Sequence, residues 1–506
     1  RDHGKMPRRI LLHFISGNSM GKENMDNHII TVMDSKISVH KVFVYLAFIF
    51  GLILVAIIPP FQSPDEDSHF KKALVLSEGQ LFPTVRNGKE GVWLAPEDVE
   101  YIKNKSEAIR GDLSKKVSYL EMHLDEKLPW TRSEKEFYMF STVKTNPIAH
   151  IIPAIGIFIG KGVAFFALKG EPSVTFLLYF ARMFSLFFYI AITAYSIYII
   201  PCMKKTMCMI ALMPMTLYLA AATSYDSLLI CLSFLLVAKV LRLVYTQTRV
   251  SEISLRDCII FSIIAYIFLV IKVVYIPLFA VFLLLPCDLK DEKKEIAKKV
   301  GLILGGVFAV YFLYKIPESI FVRGVINVES NAGEQLSFVL QHPINYLEIL
   351  FGTIINFRDY YVNTFIGCLG LLDTNFISAI AYLYLSFLIC LGIMEISLSK
   401  INIKLLYRVI IGVGIVASVF GIFLAMYLMW TSKLEGLGVG ASEISGVQGR
   451  YFIPLALSTF LIFANNRLCK NEKVEKFFMI IIDNSVMVAL AMLCLTVLFL
   501  LLRFWC

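Results

Sequence analysis

KVFVYLAFIFGLILVAIIPP, residues 41–60, runs directly into FQSPDEDSHFKK, residues 61–72. The first stretch is long and apolar enough to cross the ~30 Å hydrocarbon core of a bilayer. The second places Asp65, Glu66, Asp67 and His69 just beyond the membrane surface. A span that ends in an acid cluster and opens a long polar loop is suited to chemistry at the lipid–water boundary.

The same hydropathy recurs along the chain. Of 506 residues 57% are hydrophobic, and the mean hydropathy is +0.70, well above that of soluble domains. Several long stretches carry almost no charge, which predicts an all-α polytopic membrane protein. The formal net charge of +9 is explained by Lys and Arg in cytoplasmic loops, so the expected partner is the lipid bilayer and not nucleic acid. Ten cysteines are scattered without paired spacing, which implies neither a disulfide framework nor a zinc site. Residues 1–40 read as a polar cytoplasmic tail, with Met33 an alternative start. Residues 41–502 read as one integral membrane domain.

Placing every basic loop on one side threads the chain through about eleven transmembrane helices. They fall near 42–60, 174–200, 207–223, 227–246, 258–271, 274–287, 299–316, 376–396, 406–430, 451–466 and 477–502. Outer regions then lie at 61–173, 317–375 and 431–450, the first being the longest. The run 148–168 is also apolar but carries Pro153, Gly156, Gly160 and Lys161. Counting it as a span would move the Lys-rich loops outside, so it reads as an interfacial or re-entrant helix on the outer face. The runs 258–271 and 274–287 reach only about 22 Å each, short of a full crossing.

Within this frame a few polar residues stand out. Asp65 and Glu66 are placed to accept a proton from an attacking hydroxyl, or to hold a divalent metal against a phosphate; equally, acids after Pro64 suit the first turn of a helix. His69, four residues after Asp65, shares its helix face and fits a hydrogen-bonding role. Asp226 either caps the helix that follows it or joins a cleft. Arg182 lies roughly 12 Å inside its span, where an unpaired guanidinium costs about 3 kcal/mol on insertion scales, so it is paired or functional. Lys272, between two short apolar runs, is a snorkelling lysine or a phosphate-binding ammonium. Arg450, with Tyr451 beside it, follows Gly446 and Gly449, which permit close backbone approach to an anionic head group. The pair NFRDYYVNTF (356–365) and GCLGLLD (367–373) mixes aromatic rings with Asn and Asp in the manner of sugar sites.

Taken in order, PPFQSPDEDSHF (59–70), YFARMFS (179–185), LMPMTLYLAAATSYDS (212–227), IKVVYIP (271–277), HPINYLEILFGT (342–353), GCLGLLD (367–373) and GVQGRYFIP (446–454) carry a resemblance. The chain resembles a largely uncharacterised family of bacterial polytopic membrane proteins with the GT-C glycosyltransferase architecture, over roughly residues 42–465. It is also similar in plan to the serotype-converting O-antigen glucosyltransferases. The resemblance implies inverting transfer of a sugar from a polyprenyl-phosphate donor to a glycan acceptor, such as O-antigen or another envelope polysaccharide, on the outer face of the bacterial cytoplasmic membrane. It maps a catalytic acid onto Asp65 or Glu66 and a second acid onto Asp226, which follows Ser-Tyr here where the family often has Ser-Pro. Arg450, helped by Arg182 or Lys272, would hold the donor phosphate.

No nucleotide-binding glycine loop is present, which suits a lipid-linked donor. A flippase or transporter of a lipid-linked glycan is the alternative from another class. It would use the same cations and aromatics and would show internal pseudo-symmetry.

Overall fold

Helix Val39–Ile57 is uninterrupted because from Val42 onward it lacks an internal proline or charge, and it ends where Pro59 and Pro60 remove two backbone donors. The computed structural model of the protein describes residues 38–118, 131–287, 292–324, 331–399, 401, 403–464 and 472–506. The tail at 1–37 lies outside the described residues.

The next long helix, Val174–Ile199, packs antiparallel to the first. Phe48 stacks on Phe187, His40 meets Tyr198 edge-on, and Arg182 reaches the carbonyls of Ile58 and Pro59. The second helix therefore starts on the side where the first ends, and the chain between them makes no net crossing. Within that chain lies Ile151–Val163, extended by a wide turn at Ala164–Leu168. It forms a hairpin with Val174–Ile199. A Cβ on Gly156 would stand 2.6 Å from the Phe180 carbonyl oxygen, and one on Gly160 2.9 Å from the Phe180 ring. Its far side exposes Ile155, Phe158, Phe165 and Phe166.

Seven described helices are long and apolar enough to cross a membrane, fewer than the eleven threaded from charge. Besides the two above they are Asp226–Tyr245, Lys293–Phe321, Ser378–Leu398, Leu405–Lys433 and Met479–Phe504. This is a multi-pass, mostly helical membrane protein. The remaining four threaded segments are short or broken, mostly at proline. Lys204–Ala211 stops and Pro214–Ala220 restarts. Leu255–Ile271 is followed by a tight helix, Val273–Leu284, containing Pro277. Gly449–Phe463 changes winding around Pro454. Broken backbone survives at this depth only where protein groups satisfy it. The hydroxyls of Tyr189 and Tyr384 do so at the first break, donating to the carbonyls of Ala211 and Met209 at 2.8 and 3.0 Å. Asp226–Tyr245 is the hub, with 83% of its most apolar window buried, whereas Lys293–Phe321 is peripheral at 6%.

The first outer region departs from an all-α reading. Between helices Glu66–Ser77 and Ile151–Val163 lie helix Pro96–Glu107 and a three-stranded antiparallel sheet, β1 (Thr84–Arg86), β2 (Lys89–Leu94) and β3 (Glu136–Tyr138), in that order. Asn87 and Gly88 make the β1–β2 turn with φ of 51° and 74°, as a two-residue hairpin of this hand requires. Phe61, Phe70, Leu74, Val92, Leu94 and Ile102 form a core beneath the sheet. The last helix, Glu472–Phe504, also reaches this region. Val117 N–H donates to the Phe504 carbonyl at 2.7 Å, and Arg503 bonds the Ile109 carbonyl at 3.2 Å and Asp373 at 2.8 Å.

Candidate active site

Asp65 caps helix Glu66–Ser77 with left-handed backbone, φ 60° and ψ 8°, a conformation that Asp tolerates better than most residues. The twist sends two successive carboxylates in opposite directions. The Asp65 side chain is 61% exposed and the Glu66 side chain 0%.

Glu66 is enclosed with Arg182. Its Oε1 accepts from Arg182 Nε at 2.8 Å and Thr223 N–H at 2.9 Å, and its Oε2 from Arg182 Nη2 at 2.6 Å. The guanidinium also donates to the carbonyls of Val55, Ile58 and Pro59, so its five N–H groups are all used. The pair grouped from sequence with the catalytic acids and the phosphate clamp is thus a buried junction joining the first two spans to the outer loop.

Asp65, by contrast, lies at a cavity of about 350 Å³ together with His69, Asp226, Lys272, Arg450 and Tyr451. Arg450, whose side chain is 2% exposed, donates to Asp65 Oδ2 at 2.7 Å and stands 3.3 Å from Asp226 Oδ2. Lys272 Nζ donates to Asp226 Oδ1 at 3.1 Å and sits 4.0 Å from the Tyr451 ring centroid, a cation–π distance. Ser224 Oγ accepts the Asp226 N–H at 3.1 Å, which leaves the Asp226 carboxylate to the cations instead of capping. Two cations and two carboxylates therefore alternate across this wall. Arg450 Nε is buried without a partner among the described residues, a donor held in reserve. The lining also includes apolar Ile271, Val274, Ile422, Met426 and Met429.

Two residues of this site went unread in the sequence. Tyr225 sets its ring edge-on to His69 at 4.6 Å and lines the cavity; its signal was its place beside Asp226. His150 Nε2 lies 2.8 Å from His69 Nδ1, and only the start of an apolar run at Ile148 marked it. Burial lowers both imidazoles below the ordinary 6.5, His150 the further, so near neutrality one ring nitrogen donates and the other accepts. Among the described residues no three His, Cys, Asp or Glu side chains gather as a metal-ligand set. The GCLGLLD motif does not line this cavity; Asp373 is the partner of Arg503.

The glycines before Arg450 act differently from the expectation. Gly446 has φ 85°, and a Cβ on Gly449 would meet the Tyr361 carbonyl oxygen at 2.0 Å and Phe365 N at 2.5 Å. Gly449 N–H donates to Thr364 Oγ1 at 2.7 Å. Close approach serves packing on helix Arg358–Ile366, which aims Arg450 into the cavity. Gly449→Ala is expected to cost about 1–3 kcal/mol and to lower the melting temperature of the purified protein in detergent. Unchanged melting would show that this contact does not hold the Arg450 segment.

Neither a curated protein nor a solved structure matches the chain. Residues 48–459 match the model of a family described as a predicted membrane protein, DUF2142. With most of its length covered by that match, the chain belongs to this family of membrane proteins.

Proposed function

We propose that the protein is an inverting membrane glycosyltransferase of GT-C type, moving a sugar from a polyprenyl-phosphate donor to an envelope glycan on the outer face of the bacterial cytoplasmic membrane. The observation that carries this reading is one cavity whose lining combines apolar side chains with fixed charges, with the exposed Asp65 carboxylate bonded to Arg450. An isoprenoid tail suits the Met426 and Met429 side. A phosphodiester suits Arg450, whose planar fork holds two phosphate oxygens at once.

In this scheme the donor phosphate takes up the unpartnered Arg450 Nε and displaces Asp65 from Nη2, which frees the carboxylate as general base. The acceptor hydroxyl oxygen bonds to the anomeric carbon as the carbon–oxygen bond to phosphate breaks. Its proton passes to Asp65, and the electron pair leaves with polyprenyl phosphate. Negative charge on the departing phosphate grows during the step, so Arg450 and Lys272 stabilise the transition state more than the bound donor. Asp226 orients both cations.

The test is purified protein in membranes with a panel of radiolabelled polyprenyl-phosphate sugars, with the product glycan resolved by chromatography. Transfer from one donor is expected, and Arg450→Ala should abolish both transfer and photocrosslinking of a donor analogue. An Arg450→Ala variant that crosslinks like wild type would make Arg450 an interfacial anchor and remove the phosphate site.

A further inference from the structure

The outer sheet carries a second concave surface. Along β2, Val92 and Leu94 face the core, so Lys89, Gly91 and Trp93 share the opposite face. Across the ladder, Arg86 pairs with Lys89 and Phe137 with Trp93. The result is a groove of about 620 Å³ whose lining includes Arg86, Asn87, Lys89, Trp93, Glu136 and Phe137. Gly91 lets the Phe137 ring lie against the strand: a Cβ there would stand 2.4 Å from that ring. Trp93 and Phe137 meet edge-on with centroids 5.9 Å apart. The strand is fixed by Gln80, which bonds both the N–H and the carbonyl of Trp93 at 3.0 and 2.7 Å.

The charges of this groove are unbalanced. Like charges directly opposed across a ladder destabilise a hairpin, yet Arg86 faces Lys89 at the turn. Both are exposed, and neither has a carboxylate partner among the described residues. Lys135 shares the Glu78 carboxylate with Lys161, at 2.5 and 2.7 Å, and the lining sets a single acid, Glu136, against Arg86, Lys89 and Lys135. An anion between Arg86 and Lys89 would relieve their repulsion, while the aromatic pair offers an apolar platform for a sugar face.

We propose that this groove binds an anionic glycan, one carrying carboxylate or phosphate groups, as a remote subsite for the acceptor. The acceptor role rests on the glycosyltransferase reading; the binding does not. Helix Glu66–Ser77 separates Asp65 from the Gln80 end by about 18 Å, so a chain of several sugar units reaches from the groove to the cavity.

The experiment measures fluorescence anisotropy of a labelled galacturonic acid pentamer on protein in zwitterionic nanodiscs, with a glycerol-phosphate oligomer and neutral maltopentaose as competitors. Wild type is expected to bind saturably, more weakly as salt rises, with competition from the phosphate oligomer and none from maltopentaose. Arg86→Glu combined with Lys89→Glu, both at exposed positions, should weaken binding at least about tenfold, or 1.4 kcal/mol. Asp65→Asn should bind like wild type, which separates the groove from the fate of the catalytic reading. Absence of wild-type binding, or equal binding by the double variant, overturns the proposal. So does a double variant that keeps pentamer binding and, in a second set of nanodiscs doped with anionic lipid, loses only lipid retention, which would make the patch a membrane tether.

Discussion

Asp65→Asn is expected to lower sugar transfer by at least about 100-fold, the usual contribution of a positioned general base, with abundance and melting close to wild type. The substitution is nearly isosteric. Asn tolerates the left-handed backbone that residue 65 adopts, and its side-chain oxygen can still accept from Arg450. What it loses is proton affinity. Radiolabel transfer and thermal melting on one preparation separate the two properties. Wild-type transfer by Asp65→Asn would leave the carboxylate as a partner for Arg450 and nothing more.

Glu66→Gln, one position along, should fail in a different manner. It leaves the Arg182 guanidinium 0% exposed without its countercharge, a defect that typically costs about 3–5 kcal/mol. The variant is expected to accumulate poorly in membranes and to melt well below wild type. Glu66→Leu with Arg182→Met removes both charges and should recover part of the loss. Recovery stays incomplete because the carbonyls of Ile58 and Pro59 then lack the donors they now have at 2.7 and 3.0 Å. If Glu66→Gln accumulates and melts like wild type yet loses transfer, Glu66 belongs to the chemistry and the division of the two acids is wrong.

Much of this was legible in the chain. Hydropathy marks the apolar segments, and the polar residues standing against their surroundings, Asp65, His69, Asp226, Lys272, Arg450 and Tyr451, do converge on one cavity. Two kinds of information were not legible. Asp65 and Glu66 are interchangeable in a sequence, and only the left-handed turn between them decides which faces solvent. Helix continuity was also overread: Pro214 and Pro454 each mark a change of helix within a run whose hydropathy reads as a span, and extended backbone at Lys272 separates two short ones, so average apolarity exceeded the count of full-length helices. The β1–β2 hairpin was readable but missed. Asn87-Gly88 with flanking Val85 and Val92 is a strong short-range turn signal, overshadowed by the membrane pattern around it.

The junction between the first outer region and the last helix has a consequence for biosynthesis. Lys116 Nζ donates to the Leu502 carbonyl at 2.6 Å across 386 residues of chain. At about 5–20 residues per second, roughly 20–80 s separate the emergence of the two partners from the ribosome. Throughout that interval Ile109 and Val117 lack the surface that finally covers them, and Asp373, once made, waits a further 130 residues for the Arg503 countercharge. The outer region is thus made early and completed late. A ribosome that stalls or terminates inside the final helix would release a protein already threaded through the bilayer, with its acid-bearing loop unlatched and open to proteases and chaperones.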